Sequence, residues 1–77
     1  MALRSFRHGG DEHGRPGWWF AFPYDAGVVD KLKAAIPSYD RRWNPGAKEW
    51  WVSAEREQAL RRVLPDVAIY LDQPALL

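Results

Sequence analysis

The chain has no cysteine, and at 77 residues that absence is the strongest limit on what it can fold into. A domain of this size buries only about 60% of the surface its unfolded chain exposes. Its core supplies a net of roughly 3–5 kcal/mol unless disulfides or metals are added. Neither a disulfide nor a thiolate metal site can be built here, so apolar burial must carry the fold. Five Trp, three Tyr and three Phe meet that demand. Each aromatic side chain removes about 150–250 Å² from water. So heavy a load leaves some rings at the surface, where a partner can meet them. The lack of cysteine also fits a reducing compartment, and a cytoplasmic location is expected. The apolar runs are too short to span a bilayer. The N-terminal MALRSFRHGG lacks the apolar stretch of a secretion signal. Net charge is +1 and the pI about 8.1. That is below the pI of about 9 that by itself marks a nucleic-acid binder, so any charge effect must be local.

Turn and cap residues divide the chain into short elements. Ala2 to His8 alternates loosely, as a strand whose register the pattern leaves open. GGDEHGRPG reads as a flexible loop, taken as 8–17. Trp18 to Phe22 has strand length; Trp18, Phe20 and Phe22 form the heavier face and are assigned to the core, with Trp19 outward. Asp25 suits a helix N-cap, and a helix is predicted from Ala26 to Ala35, with Val29, Leu32 and Ile36 on its apolar stripe. Pro37 ends it, because the residue before a proline is driven out of the α region.

Residues 38–53 read as a hairpin about the Asn44-Pro45-Gly46-Ala47 turn. Pairing Asn44 with Glu49 places Trp43 opposite Trp50 and Arg42 opposite Trp51. Trp43, Trp50 and Val52 then share one apolar face, read as core, while Arg42 and Trp51 share the other. A slip of one residue exchanges the two faces. Ser53 caps a second helix, Ala54 to Leu64, with Leu60, Val63 and Leu64 inward; Glu57 and Arg61 pair one turn apart, and Pro65 stops it. Val67 to Leu71 is expected to be a last strand with Val67, Ile69 and Leu71 inward, followed by a frayed tail, 72–77. The expectation is one α+β domain, 1–77, in the order ββαββαβ, with a small, mostly antiparallel, curved sheet and two helices on one face.

FPYDAGVVDKLKAAIPSYDRRWNPGAKEWWV resembles the HARP domain, a small module found ahead of the motor in Swi/Snf-type DNA-annealing helicases and in prokaryotic relatives. The matching positions are Tyr24 and Asp25, Leu32 and Lys33, Pro37, Trp43 with Asn44, Lys48, Trp50 and Val52, within residues 20–64. Asn44 stands where the family usually has an acidic residue, and the Gly-rich connection before Trp18 has no counterpart in the pattern. The resemblance implies a curved antiparallel sheet backed by helices, and binding of single-stranded or forked DNA as a helicase accessory in DNA repair. It implies no chemistry within the module, since ATP hydrolysis belongs to the motor.

From the residues themselves, the expected nucleic-acid face is Trp19, Arg42 and Trp51, edged by Lys48 and Arg41. An exposed indole gives an unpaired base a stacking surface, and arginine neutralises phosphate or stacks on a ring. The bland reading is a Trp–Arg pair that merely covers the sheet. His8, Asp11, Glu12 and His13 fit no compact zinc spacing and are read as a polar loop. No catalytic triad, phosphate-binding loop or carboxylate pair is recognisable, so no enzyme activity, cofactor, metal or small-molecule substrate is expected. The expected partner is single-stranded or junction DNA. The rival is a protein–protein adaptor that grips a helicase, ATPase or other protein with the same sheet face.

Overall fold

A computed structural model describes residues 2–73. Four strands form one antiparallel sheet: β1 (Ser5–His8), β2 (Gly17–Ala21), β3 (Arg41–Asn44) and β4 (Glu49–Ser53), in the order β1-β2-β4-β3. Three helices follow the chain: α1 (Ala26–Ala35), α2 (Glu57–Val63) and α3 (Val67–Leu71). The domain is α+β, as expected, although its sheet is not strongly curled.

Local chemistry explains most boundaries. The Asp25 carboxylate accepts the amides of Gly27 and Val28 at 2.9 and 3.2 Å, which satisfies two orphan donors and opens α1 at Ala26. The helix ends at Ala35, before Pro37. Ser53 accepts the Glu55 amide at 3.2 Å, and the chain passes through a 3-10 turn (Ala54–Arg56) into α2. The hairpin has the expected register, with Trp43 opposite Trp50 and Arg42 opposite Trp51. Asn44 Oδ1 accepts the amides of Gly46 and Ala47 and so builds the turn. The left-handed residue is Lys48 (φ 56°), at the end of the loop where the chain re-enters β4.

The segment 67–71 is a correction. It is a short helix, not a strand. Val67 and Leu71 lie one turn apart and face inward together, while Ile69, expected inward, is 70% exposed. Period alone cannot separate the two states in so short an apolar run. A helix here satisfies its own backbone, with Ala68 and Ile69 amides donating to Pro65 and Asp66 carbonyls, whereas a strand would need a free sheet edge. Tyr70 stacks on Phe6 with centroids 5.0 Å apart. Arg61 binds Asp72 through two hydrogen bonds, at 3.0 and 2.7 Å, and pairs with Glu57. Of the expected frayed tail, 74–77 lies outside the described residues.

The core joins Trp18 and Phe20 of β2 and Val52 of β4 to Leu32, Ile36, Leu60, Leu64 and Val67. Phe22 packs at its margin. The helices therefore cover the two central strands, and no residue of β3 belongs to the buried cluster. Trp50 is half-buried, and Trp43, expected in the core, is 49% exposed. No helix among the described residues is long and apolar enough to cross a membrane.

Candidate nucleic-acid interface

The expected interface assembles in space but is closed to a ligand. Trp19 lies directly opposite Trp51, and Trp51 opposite Arg42, so the three side chains form one row across the face turned away from the helices. The connection expected to be a flexible loop lies over that row. The Trp51 indole N–H donates to the Gly9 carbonyl and the Trp19 indole N–H to the Gly10 carbonyl, each at 3.0 Å. The guanidiniums of Arg15 and Arg42 each sit 5.6 Å from the Trp51 ring centroid. Gly17 provides the slot for that ring: a Cβ there would stand 2.7 Å from Trp51 ring carbons. Trp51 is consequently 0% exposed, against the expectation that it faces solvent, and Trp19 is half-buried.

Charge pairing locks this cover in place. Asp11, whose side chain is fully buried, accepts the amides of His13 and Arg15 at 2.9 Å each and meets Arg42 at 3.3 Å. Glu12 takes the Arg42 Nε. Buried Asp40 bridges Arg15 and Arg56, the latter at 2.6 Å. Arg7 lies over Trp19 and pairs with Glu49 at 3.0 Å. The cations of this face are thus spent on carboxylates, and Asp11 and Glu12 cover it with negative charge. The row that looked like a binding site is a second, polar-capped core.

These pairs set a pH dependence. Burial by itself raises the Asp40 carboxyl. Its hydrogen bonds and charge contacts with Arg15 and Arg56 outweigh this and hold it below its ordinary 3.8. Burial likewise opposes the lowering of Asp11, which the Arg15 and His13 amides and the Arg42 and Arg15 charges achieve. A carboxyl with a lowered folded pKa stabilises the fold fully above its unfolded value and loses that contribution as pH falls through the folded one. Thermal denaturation should therefore show a plateau in this contribution above about pH 5 and a decline that steepens below about pH 4. A midpoint that does not fall between those two regimes would contradict the role given to Asp11 and Asp40.

The other side of the sheet carries an open site. Tyr24 (83% exposed), Trp43 and Trp50 border a groove of about 410 Å³ between α1 and the edge strand β3. Val29 and Lys33 of α1 and Arg41 and Arg42 of β3 complete it. A smaller hollow of about 230 Å³ shares Tyr24, Val29, Trp43 and Trp50 and adds Arg4 and Lys48. No Asp or Glu lines either one. Arg42 is held by Asp11 and Glu12. Arg4, Lys33, Arg41 and Lys48 enter no ion pair among the described residues, and the Arg41 Nε is anchored on the Ile36 carbonyl at 3.0 Å.

Of the five residues expected from sequence, Arg41 and Lys48 border this groove, Arg42 is a tied-up member of its rim, and Trp19 and Trp51 lie on the opposite face. Tyr24, Lys33, Trp43 and Trp50 are all positions of the HARP resemblance, but alternation assigns Trp43 and Trp50 to the core, and the sequence pattern places no site at Tyr24 or Lys33. The missing signal was the width of the helical layer. A ten-residue α1 leaves β3 bare, and that follows only from the strand order. Comparison with protein-family models, curated proteins and solved structures gives no match for this chain.

Proposed function

We propose that this is a non-catalytic, cytoplasmic domain that binds single-stranded nucleic acid, such as the unpaired arms of forked DNA. The binding surface is the groove between α1 and β3. The observation that carries this reading is the meeting of exposed rings with cations that enter no ion pair among the described residues. Tyr24 and Trp43 offer faces on which any base can stack, and Arg4, Lys33, Arg41 and Lys48 surround them without an acidic neighbour in the lining. A net charge of only +1 is compatible with this, because Asp11, Glu12 and Glu49 pair with Arg42 and Arg7 on the far face and none of the carboxylates lines the groove. The HARP resemblance supports the same ligand through Tyr24, Lys33, Trp43, Lys48 and Trp50, all of which border the groove. Ring stacking and phosphate contacts discriminate little between bases, so the expected binding has little sequence preference.

Trp fluorescence titrated with oligo-dT tests the proposal. Quenching should weaken with salt, with a log–log slope no steeper than about −3 if the four unpaired cations each neutralise one phosphate of a single strand. Trp43→Ala should lower affinity by about 1–3 kcal/mol, the contribution of one base–ring stack, with its denaturation midpoint close to the parent's because the ring is half-exposed. Unchanged fluorescence at low salt, with a protein partner captured from nuclease-treated lysate, would favour an adaptor instead.

A further inference from the structure

We infer that the groove holds two consecutive unpaired nucleotides, one in each of its hollows, with a separate pair of cations serving each; this rests on the nucleic-acid reading above. The two hollows share one wall, Tyr24, Val29, Trp43 and Trp50, and differ in their charges. Lys33 and Arg41 belong to the larger, Arg4 and Lys48 to the smaller. The indoles of Trp43 and Trp50 have centroids 5.0 Å apart and planes tilted by 48°. A base sandwiched between two rings needs about 3.5 Å on each side, or about 7 Å in all, so none fits between them. Trp50 is half-buried against the core, so bases stack on the surfaces that Tyr24, Trp43 and Trp50 turn to the two hollows, and a strand crossing them places successive bases in each. The cations on each flank then meet the phosphate that accompanies each base. A base inside a duplex has both faces covered by its neighbours and none free for such a wall, so the wall favours unpaired strand.

The test uses the full chain and 5′-phosphorylated thymidine oligomers of increasing length, followed by Trp fluorescence. Affinity should rise about 5- to 150-fold, the value of one stacked base, from the mononucleotide to the dinucleotide, and much less with each further residue. Lys33→Ala and Lys48→Asn should each reduce the log–log salt slope by about 0.7, one phosphate contact, and by about twice that together. Asn tolerates the left-handed backbone at position 48, so a loss there reports charge and not folding. Affinity that climbs evenly past two nucleotides, or a salt slope unmoved by both substitutions, overturns the two-nucleotide site while leaving nucleic-acid binding intact. Quenching by an oligo-glutamate peptide but by no oligonucleotide overturns both.

Discussion

Trp51→Ala should leave the domain unfolded at ordinary temperatures. The indole is fully enclosed, donates a hydrogen bond to the Gly9 carbonyl, and is flanked by the guanidiniums of Arg15 and Arg42. Truncating a buried Trp to Ala costs ~3–5 kcal/mol in ordinary cores. A chain of this size has a net stability of only roughly 3–5 kcal/mol. The loss here extends past the ring, because Gly17 and the 9–16 connection are shaped around it. With the ring gone, Arg15 and Arg42 lose the surface they cover and the second face of the sheet loses its filling. Urea denaturation followed by circular dichroism checks this. A cooperative transition with a midpoint near that of the parent would show that the covered face adds little to the fold. Trp43→Ala is the matched control, since it removes the same side chain from an open position.

The second large effect is expected at Asp40. Its carboxylate is buried at the end of a 3-10 turn (Ser38–Asp40) and is the meeting point of three distant segments. Arg15 reaches it from the connection that covers the sheet, Arg56 from the turn before α2, and β3 begins at the next residue. Asp40→Ala removes one anion from between two cations. Deleting one member of a buried ion pair costs ~3–5 kcal/mol. The expected loss is nearer ~3 kcal/mol, because Arg15 and Arg56 keep about a third of their side chains in solvent and can turn outward. Asp40→Asn should recover part of this, since an amide oxygen still accepts one of the two hydrogen bonds. The predicted order of stability is parent, Asn, Ala. The Ala variant should also lose part of the acid-dependent decline, because the titrating group is gone. Equal stability of all three proteins would remove Asp40 from the account of how the cover is held.

Both effects concern the face that sequence alone presented as a binding surface. Strand alternation and hairpin register put Trp19, Arg42 and Trp51 in one row, as the structure has them. Alternation says which side a residue faces; it does not say what lies on that side. The glycine-rich stretch contains Asp11, Glu12 and Arg15, whose partners Arg42 and Asp40 lie 25 to 31 positions away. Pairing at such separation has no local signature, and a run of opposite charges with several glycines is read by default as solvated. Trp43 shows the reverse: alternation puts it on the face of Val52 and hence in the core, but no residue of β3 joins the buried cluster and the ring is 49% exposed.

Local interactions within a few residues were decisive in the sequence itself: the Asp25 cap and Pro37 bounding α1, the Ser53 cap, the Asn44 turn that sets the hairpin register, and the Glu57–Arg61 pair. Each depends on contacts whose energy is complete within one turn of chain. Tertiary structure alone decided which face of the sheet is sealed, which tryptophans meet solvent, and whether residues 67–71 coil or extend. Those outcomes depend on the area that helices can cover and on charges brought together from distant parts of the chain. Neither quantity exists until the elements have been arranged in space.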